Sequence, residues 1–358
     1  MTESAQKPVT VLVLAVGGNV SQGILKALAK STVPCRVIGT DISALQMGVY
    51  TTDVGYVAPW ADAPNFVDWT VELCKREQVD IILTGCEPVI AVFSRHRDYI
   101  ESNTDAVCLV NGPAIMDICD DKLRTCEWLK AQGFAYPDYA ASEDEAGIQR
   151  LVDRYGFPLL AKLRGGGGAQ NMVTVADMDD VAYIGRKPGY VVQEYVGHAD
   201  SEYTVGCFCD RDGVLLGSIV LWRTLLQGTT YRAVAGAYPE VCHEAERIVR
   251  ALKPIGPCNV QLRMTKRGPV CFEINPRFSG AAPMRAQFGF NEADAVLRHF
   301  VLGEPSPPLP KITSGIALRY WNELYVAPDA VSLLEAEGRI DNATRKDAYI
   351  DEYGKKTP

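Results

Sequence analysis

The amino-acid sequence predicts an α/β plus α+β protein, in which a parallel sheet with its helices precedes a mostly antiparallel region. Its 358 residues are enough for two or three compact units. The first third alternates apolar strands with helices, a β-α-β rhythm that is typical of a doubly wound parallel sheet. Beyond it, strands follow one another with fewer helices between them, which favours an antiparallel sheet.

The parallel sheet is predicted from the apolar character of its strands. Val9–Val16 is a continuous apolar run, as in a strand that is buried on both faces. The glycine turn Gly17–Gly18 then leads into a helix, a second strand ends on Asp41, a third covers Val79–Gly85, and Ala106–Val110 is a fourth. The parallel sheet is therefore expected to occupy the first third of the chain.

The antiparallel region is predicted from strands that are separated by turns. A helix begins close to Lys122, and the strand Leu159–Leu163 is followed by Gly165–Gly168 and by another strand, so these glycines connect two strands. The segment after Leu302 is expected to return to the body through Gly315–Trp321. Later strands are expected at 189–196, 201–210, 214–222, 258–264 and 269–275, with a helix at 243–255.

Charge and composition exclude several classes of protein. The net charge of −8 argues against a general binder of nucleic acid or of acidic membranes. No apolar run reaches the roughly 18 residues of a membrane-spanning helix, and the first residues lack the pattern of a secretory signal. The 11 cysteines form no C-x-x-C pair, and most of them are expected to be reduced, buried hydrophobes. We therefore expect a cytoplasmic protein that acts on small molecules, and the sequence leaves open whether it forms a homodimer.

The glycine turn after the first strand offers one functional interpretation. Gly17, Gly18 and Gly23 follow a strand and Asp41 ends the next one, as in proteins that bind dinucleotides. The spacing is nevertheless not G-x-G-x-x-G, and the glycines are not followed by the Lys and Ser/Thr of a P-loop. An NAD-dependent dehydrogenase therefore stays an alternative, beside a turn that only allows tight packing between strand and helix.

Two neighbouring strands carry the strongest constellation of polar residues. Strand alternation places Asn259, Gln261 and Arg263 on one face of the first strand. It places Cys271, Glu273 and Asn275 on one face of the second strand. The opposite, apolar face carries Val260, Leu262, Phe272 and Ile274.

A three-residue turn at 266–268 would set Gln261 opposite Glu273 and Asn259 opposite Asn275. One carboxylate and several amide oxygens would then converge, and such hard oxygen donors suit Mg²⁺. The alternative is a hairpin whose polar face is only solvated.

Further charged residues and glycines gain meaning only when they are considered together. Lys162 lies in an apolar strand directly before Gly165–Gly168. A buried ammonium needs an anion, and glycines let backbone N–H groups approach a phosphate. Lys122 lies near the start of a helix, and Glu194 and Glu202 lie at strand ends. Each has a structural alternative, because a lysine can reach solvent or pair with a carboxylate, and glutamates at strand ends serve solubility.

Taken in this order, these features resemble those of the ATP-grasp superfamily, in particular a carbamoyl-phosphate-synthase-like protein with a single ATP-grasp unit. The segment Glu273–Arg277, which reads E-x-N-P-R, is the most specific match. The resemblance implies an ATP-grasp fold with a Rossmann-like pre-ATP-grasp domain at 1–115. Two α+β subdomains, at 116–195 and 196–302, would sandwich ATP, and a C-terminal extension would cover 303–358. The implied cofactors are ATP and Mg²⁺, with Mn²⁺ as an alternative metal.

The resemblance also implies roles for individual residues. Lys122 and Lys162 would hold the phosphates, and a mobile lid would consist of Gly165, Gly166, Gly167 and Gly168. The hinge that receives adenine would be Glu194, Tyr195 and Val196, and the ribose ligand would be Glu202. The Mg²⁺ ligands would be Gln261, Glu273 and Asn275. The catalytic residues would be Arg277, Lys162 and Asn259, of which Arg277 stabilises the transition state of acyl-phosphate formation.

The implied reaction is ATP-dependent ligation of a carboxylate to an amine. The carboxylate attacks the γ-phosphate of MgATP to give an acyl phosphate, and an amine such as an amino acid then displaces phosphate. We expect Arg223, Arg232 and Arg285 to bind the carboxylate, whereas surface arginines in a loop are the alternative. A carboxylate or carbamate kinase that releases its acyl phosphate is a second enzymatic interpretation. A nucleotide-binding regulator without catalytic activity is a further alternative.

Overall fold

The computed structural model describes residues 7–166, 171–304 and 314–350. These residues form two compact units. The first unit holds the described residues up to 112 together with 277–304 and 319–350, and the second holds 113–166, 171–276 and 314–318. The division at 115, 195 and 302 that the sequence suggests stays a prediction.

The strands are β1 (Val9–Leu14), β2 (Cys35–Asp41), β3 (Val54–Val57), β4 (Ile81–Thr84), β5 (Val107–Cys108), β6 (Tyr139–Ala141), β7 (Leu159–Leu163), β8 (Val173–Val175), β9 (Tyr190–Glu194), β10 (Glu202–Cys209), β11 (Leu215–Leu226), β12 (Thr229–Ala235), β13 (Gly256–Thr265), β14 (Gly268–Asn275), β15 (Gly315–Leu318), β16 (Leu324–Val326), β17 (Arg339–Asp341) and β18 (Ala348–Ile350).

The α-helices are α1 (Asn19–Leu28), α2 (Phe66–Glu77), α3 (Glu87–Asn103), α4 (Pro113–Cys119), α5 (Lys122–Ala131), α6 (Glu145–Tyr155), α7 (Met178–Gly185), α8 (Pro239–Leu252), α9 (Ala282–Gln287), α10 (Glu292–Val296) and α11 (Pro328–Glu337). Short 3₁₀ helices cover Met47–Tyr50 and Ala199–Ser201, and a π-helical turn, Leu297–Val301, continues α10.

The first unit contains a six-stranded sheet in the order β17-β3-β2-β1-β4-β5. The strands β1 to β5 are parallel, as predicted, and β17 is antiparallel to β3 at one edge. Every residue of β1 is buried, because helices cover both faces of a parallel sheet. The core packs Leu12 and Ile38 of the sheet against Phe66 and Phe93 of α2 and α3. The sequence did not predict β3 or β17, and the fourth predicted strand is shortened to β5.

The second unit contains two antiparallel sheets. The larger one has the order β14-β13-β10-β11-β12-β15 and the smaller one the order β6-β9-β7-β8. Helix α8 is amphipathic and packs Ile248 and Val249 against Val205 and Val260 of the larger sheet. The predicted return of the chain at Gly315 is confirmed, because β15 pairs with β12. Among the residues that the structure describes, no helix is long and apolar enough to cross a membrane.

Candidate functional site

The hairpin of β13 and β14 has the predicted register at its polar end. Gln261 lies opposite Glu273, and Asn259 lies opposite Asn275. The reason differs from the predicted one, because Thr265 pairs with Gly268 and the turn contains two residues instead of three. A register shift after Gln261, where β14 has one more residue than β13, compensates for the shorter turn. A two-residue turn and a β-bulge together therefore give the pairing that a three-residue turn would give.

The bulge also changes which side chains of β14 share a face. Cys271 lies opposite Leu262, is fully buried and belongs to the hydrophobic core. Phe272 and Glu273 are consecutive, yet both side chains line one cavity. A bulge places two residues against one, so strict alternation is lost at this point. The prediction that Cys271 lies on the polar face and Phe272 on the apolar face was wrong for this reason.

A cavity of about 220 Å³ in the second unit is the candidate functional site. It brings together residues from both sheets that are far apart in the sequence. Its predicted members are Lys122, Lys162, Gly166, Glu194, Tyr195, Val196, Glu202, Arg223, Gln261 and Glu273. Further lining residues, to which the sequence assigned no role, are Pro137, Leu160, Leu163, Met172, Thr174, Gln193, Leu225, Gly228, Arg263 and Phe272. Strand alternation with Gln261 was the signal that could have added Arg263.

Lys122 lies where helix α5 meets the end of strand β7. Its Nζ donates a hydrogen bond of 2.5 Å to the carbonyl of Gly166, and its backbone N–H donates to the carbonyl of Arg164 at 2.9 Å. Asp121 caps α5 by accepting from the N–H of Leu123, and it forms an ion pair with Arg164 at 2.5 Å. These contacts fix the start of α5 to Arg164 and to Gly166 of the glycine segment. Gly165 and Gly166 are described, whereas Gly167 and Gly168 lie outside the described residues, and the lid stays a prediction.

Lys162 extends from β7 toward the bulge of the hairpin. Its Nζ lies 5.3 Å from the centroid of the Phe272 ring. Desolvation lowers the pKa of this ammonium, and the negative charge of Glu273 acts in the opposite direction. A cation in these surroundings gains from a second anion, because burial of its charge is only partly offset.

Two arginines hold the carboxylate of Glu202. Arg223 donates to Oε1 from Nε at 3.0 Å and from Nη2 at 2.7 Å, and Arg263 donates to Oε2 at 3.1 and 2.9 Å. The same Nη2 of Arg223 donates to Oε1 of Gln261 at 2.6 Å. Glu202 is 4% exposed, so this charged network is nearly dry. The predicted ribose ligand is therefore held in one orientation at the wall of the cavity.

The predicted hinge lies beside this network. Glu194 accepts hydrogen bonds at Oε1 from the backbone N–H of Asp138 at 3.0 Å and from Arg267 at 2.5 Å. The carbonyl of Val196 accepts from Arg263 Nη1 at 3.0 Å. Tyr195 is 42% exposed, and its ring centroid lies 5.7 Å from the Arg263 guanidinium carbon. Hydrogen bonds thus hold the Glu194 side chain and the Val196 carbonyl in place, which suits a surface that receives a flat ring.

The predicted metal ligands form one donor set of a carboxylate and amides. Gln261 and Glu273 line the cavity, and Asn275 Nδ2 donates to Glu273 Oε1 at 2.9 Å. In the described part of the chain, no group of three or more His, Cys, Asp or Glu residues could hold a metal. One carboxylate with amide oxygens fits Mg²⁺, which uses few protein ligands and takes its other oxygens from water and phosphate. The residues present therefore fit the predicted ion.

Several predicted residues do not line this cavity. Asn259 is 1% exposed, and its Oδ1 accepts from Thr204 Oγ1 at 2.6 Å. Arg232 is exposed on β12. Arg277 belongs to the first unit, where it forms an ion pair with Glu87 at 3.2 Å.

Arg285 also belongs to the first unit and is fully buried in an ion pair of 3.0 Å with Glu292. Because this guanidinium already has a carboxylate partner in the core, its placement gives no support to a role in substrate binding. Arg223 does line the cavity, but its guanidinium is bound to Glu202 and Gln261, so a role in binding a substrate carboxylate stays a prediction.

The glycine turn of the first unit bears on the dehydrogenase alternative. The backbone N–H of Gly17 donates to Oδ2 of Asp41 at 2.7 Å, and the N–H of Ile42 donates to Oδ1 at 2.8 Å. Asp41 is 7% exposed. Its carboxylate thus fixes the turn, and this use favours the packing interpretation of the glycines over a ribose contact.

Comparison with known proteins gives matches over both parts of the chain. Residues 186–324 match the family described as ATP-grasp in the biosynthetic pathway with Ter operon, and residues 11–107 match the PylC-like N-terminal domain. The carbamoyl phosphate synthase large chain of Methanosarcina barkeri is 22% identical over 307 residues, which are 76% of this chain and 28% of that protein. An uncharacterized protein of Sinorhizobium fredii is 24% identical over 208 residues, or 53% of this chain and 43% of that one. The chain spans less than half the length of either relative.

Solved structures share the fold over most of the chain. N5-carboxyaminoimidazole synthetase from Staphylococcus aureus, complexed with ADP, has a TM-score of 0.69 and 14% identity, and the match covers 92% of this chain and 85% of that one. The biotin carboxylase domain of the 2-oxoglutarate carboxylase from Hydrogenobacter thermophilus was solved with MgADP, ADP and bicarbonate. It has a TM-score of 0.64 and 14% identity, with 93% and 77% covered. These likenesses confirm the predicted fold class.

Proposed function

We propose that this chain, which belongs to the ATP-grasp superfamily, is an ATP-dependent ligase that joins a carboxylate to an amine through an acyl phosphate. The observation that carries the proposal is the composition of the cavity. Lys122 and Lys162 supply positive charge, and Gln261 and Glu273 supply oxygen ligands within the same 220 Å³. The ADP and MgADP of the similar solved structures support a nucleotide as the occupant.

The residues of the cavity divide the work of binding a nucleotide. Lys122 and Lys162 offset the charge of the phosphates, and the fixed hinge at Val196 receives the base. Glu273, Gln261 and Asn275 would hold Mg²⁺. When bound, this ion neutralises charge on the phosphate oxygens and orients the group that is transferred. The glycines that follow Lys162 would close over the phosphates and exclude water, which would otherwise hydrolyse the acyl phosphate.

The proposed reaction has two steps. An oxygen of the carboxylate attacks the γ-phosphorus of ATP, the bond from that phosphorus to the bridging oxygen breaks, and ADP leaves. The amine then attacks the carbonyl carbon of the acyl phosphate, loses a proton, and phosphate leaves with the electrons of the broken C–O bond. Neither step needs a covalent nucleophile from the protein, so preorganised charge in the cavity carries the catalysis. Arg277 is proposed to stabilise the first transition state.

A second candidate is a kinase that releases its acyl phosphate. The likeness to part of a carbamoyl phosphate synthase large chain supports this candidate, because that match covers 76% of this chain. The two candidates differ in one requirement. A ligase requires the amine and forms ADP in proportion to the amide product. A kinase forms ADP with the carboxylate alone, without an amine.

The test is a screen for phosphate release from MgATP by the full chain. Carboxylic acids are supplied with and without a mixture of amino acids, and the product is followed by mass spectrometry. Glu273→Ala serves as the blank because it removes the carboxylate of the donor set. Glu240→Ala is the matched control, since Glu240 is exposed at the start of α8 in the same unit. Turnover that Glu273→Ala leaves unchanged would refute the proposal. A cytoplasmic location stays a prediction, and whether the chain forms a homodimer stays open.

A further inference from the structure

The first unit has an opening at the amino edge of its parallel sheet, where the strands begin. Helices normally cover both faces of such a sheet, because the crossovers between parallel strands place them there. The connection from β2 to β3 contains only the short 3₁₀ helix Met47–Tyr50, so part of the sheet lacks this cover. The first three residues of β2 are accordingly half-buried, whereas every residue of β1 is buried. Space for a ligand therefore remains beside the start of β2.

This space is a cavity of about 840 Å³, which we call the amino-edge cavity. Its volume is within the range of small-molecule sites. It is lined by the end of α1, the start of β2 and the segments 50–53 and 342–349. Much of this lining is apolar, with Leu25, Leu28, Val33, Pro34 and Val37 among its members. The cavity therefore offers an apolar surface to a ligand.

Asp53 is a firmly held carboxylate in the lining of the amino-edge cavity. Its backbone N–H donates to the carbonyl of Val37 at 2.9 Å, and its Oδ2 accepts from the N–H of Val37 at 2.7 Å. Its backbone carbonyl accepts from the N–H groups of Asn342 and Ala343 at 2.9 and 3.1 Å. Among the described residues, no donor binds the other carboxylate oxygen, Oδ1. This half-buried side chain therefore keeps one acceptor for a ligand.

Asn342 adds a second acceptor beside Asp53. Its Nδ2 donates to the carbonyls of Val49 and Thr52 at 2.7 and 2.9 Å, which fixes the orientation of the amide. In the part of the chain that the structure describes, no donor binds its Oδ1. The hydroxyls of Thr51 and Thr52 already donate to backbone carbonyls. The polar groups on this side of the cavity thus accept hydrogen bonds, and their own donors are in use.

The electrostatic surroundings of this side favour a positive ligand group. Cys35 also lines the cavity, and burial is the largest cause that raises the pKa of its thiol to about 11. The negative charges of Asp294 and Asp53 raise this pKa further. Helix α1 ends at Leu28 in the lining, and the end of a helix carries a partial negative charge. Negative charge from several sources therefore acts on this side of the cavity.

The cations of the lining do not neutralise Asp53. Arg345 forms an ion pair with Asp347, so its charge is already offset. Lys346 is exposed, and water solvates its ammonium. Within the described ranges, neither cation forms an ion pair with Asp53. A half-buried carboxylate that lacks a cation gains from a positive ligand.

We propose that the amino-edge cavity binds a small ammonium ligand with an apolar body, such as a primary alkylamine. The ammonium donates to Asp53 and Asn342, and the alkyl chain packs on Leu25, Leu28 and Val37. An ammonium has three donors, so it satisfies both acceptors and still contacts water. The amino-edge cavity shares no lining residue with the cavity of the second unit, so this ligand site does not depend on the proposed function.

The test uses Cys35 as a reporter in the lining of the cavity. The full chain is treated with methyl methanethiosulfonate, which reacts with thiols and not with amines, and peptide mapping by mass spectrometry gives the rate at each cysteine. A bound ligand shields the half-buried Cys35 from the reagent. Cys86 in the first unit and Cys242 in the second are also half-buried and are the internal controls. Saturation-transfer difference NMR measures the affinity independently of thiol reactivity.

Three probes with the same alkyl chain separate charge from apolar contact: hexylammonium, hexanol and hexanoate. We expect hexylammonium to bind about 10- to 100-fold more tightly than hexanol, as a hydrogen bond between charged groups implies. Propylammonium is expected to bind more weakly, by up to about 4-fold for each methylene removed. Tighter binding of hexanoate, or the absence of binding by hexylammonium, would overturn the proposal. Equal shielding of all three half-buried cysteines would do so as well, because it would show that the probe acts outside this cavity.

Asp53→Asn tests the role of the carboxylate, because it keeps an oxygen for the N–H of Val37 and removes the charge. We expect it to weaken hexylammonium binding by about 10- to 100-fold and to leave hexanol binding nearly unchanged. Asp62→Asn is the matched control, since Asp62 is exposed in the same unit and does not line the cavity. Equal hexylammonium binding by wild type and Asp53→Asn would contradict the assignment of the ammonium to this carboxylate.

A second variant keeps the test decisive if Asp53→Asn does not fold. Ala29→Trp places a large side chain in the lining at the end of α1 and leaves the contacts of Asp53 intact. It is expected to weaken the binding of hexylammonium and hexanol alike, whereas unchanged binding would place the ligand elsewhere. Wild-type reactivity of Cys86 shows that the first unit of each variant is folded.

The binding assay contains no nucleotide, so its outcome is separate from that of the proposed function. A chain that turns over ATP but does not bind hexylammonium keeps the proposed function and loses this site. A chain that binds hexylammonium but never turns over ATP keeps the amino-edge site and loses the proposed function.

Discussion

The Nη2 atom of Arg223 lies 2.6 Å from the amide oxygen of Gln261, the oxygen that the proposed metal would use. The same guanidinium binds Glu202, and Arg223 is 7% exposed. A metal ion that binds Gln261 must therefore share this amide oxygen with a hydrogen bond from a positive group, or displace that hydrogen bond. Arg223 thus opposes the metal at one of its three proposed ligands, while it holds the proposed ribose ligand in place.

The first prediction follows from this competition. Arg223→Leu frees the Gln261 oxygen, so we expect Mn²⁺ to bind the ADP complex about 2- to 10-fold more tightly, as the loss of one hydrogen bond implies. Electron paramagnetic resonance of free Mn²⁺ measures this affinity. Arg247→Leu is the control, because Arg247 is an exposed arginine of the second unit. A weaker affinity in Arg223→Leu would show that the guanidinium supports the metal.

The second prediction concerns the bulge in β14. Cys271→Ser places a hydroxyl in the core opposite Leu262 and is expected to lower the free energy of unfolding by about 1–3 kcal/mol. Phe272→Leu changes the wall of the cavity and is expected to weaken ADP binding with a smaller loss of stability. Urea unfolding and ADP titration of both variants measure these effects. The reverse pattern would mean that β14 alternates regularly and has no bulge.

The third prediction concerns the charge of Lys162. Burial lowers the pKa of this ammonium in the folded protein below its value in the unfolded chain. Between these two values the unfolded chain binds more protons, so the free energy of unfolding rises with pH. Lys162→Met lacks this titrating group, so its free energy of unfolding should rise less steeply with pH in the alkaline range. Urea unfolding at a series of pH values tests it, with the exposed Lys266→Met as control. Equal slopes in all three proteins would contradict it.

The fourth prediction separates phosphate contacts from base contacts. Lys122→Met removes the Nζ that lies beside Gly166, at the start of the glycine segment. We expect it to weaken ATP binding by about 10- to 100-fold, because a charge-assisted contact to phosphate is lost. AMP, which lacks the β- and γ-phosphates, should bind almost as it does to the wild type. Isothermal titration calorimetry measures both, and equal losses for ATP and AMP would place Lys122 elsewhere in the site.

The sequence predicted the polar hairpin because strand alternation and short turns are local properties. Gln261 and Glu273 were paired correctly, yet the bulge that exchanges Cys271 and Phe272 depends on how the hairpin packs against its core. Arg285 shows what the sequence pattern could not predict, namely whether an arginine is buried or exposed. A cation between apolar residues has the same sequence pattern on a surface and in a core, and only the contact with Glu292 distinguishes them. The amino-edge cavity was missed because Asp53 and Asn342, which meet in its lining, are distant in the sequence.

The antiparallel edge strand of the first unit determines when that unit can be completed on the ribosome. Strand β3 pairs with β17, and residues 58–338 separate them. At roughly 5–20 residues per second, synthesis of this interval takes roughly 15–60 s, during which β3 has an unpaired edge. A nascent chain that stops before Arg339 lacks the backbone that pairs with Tyr56. The first unit of this protein therefore begins to fold early in synthesis and closes its sheet late.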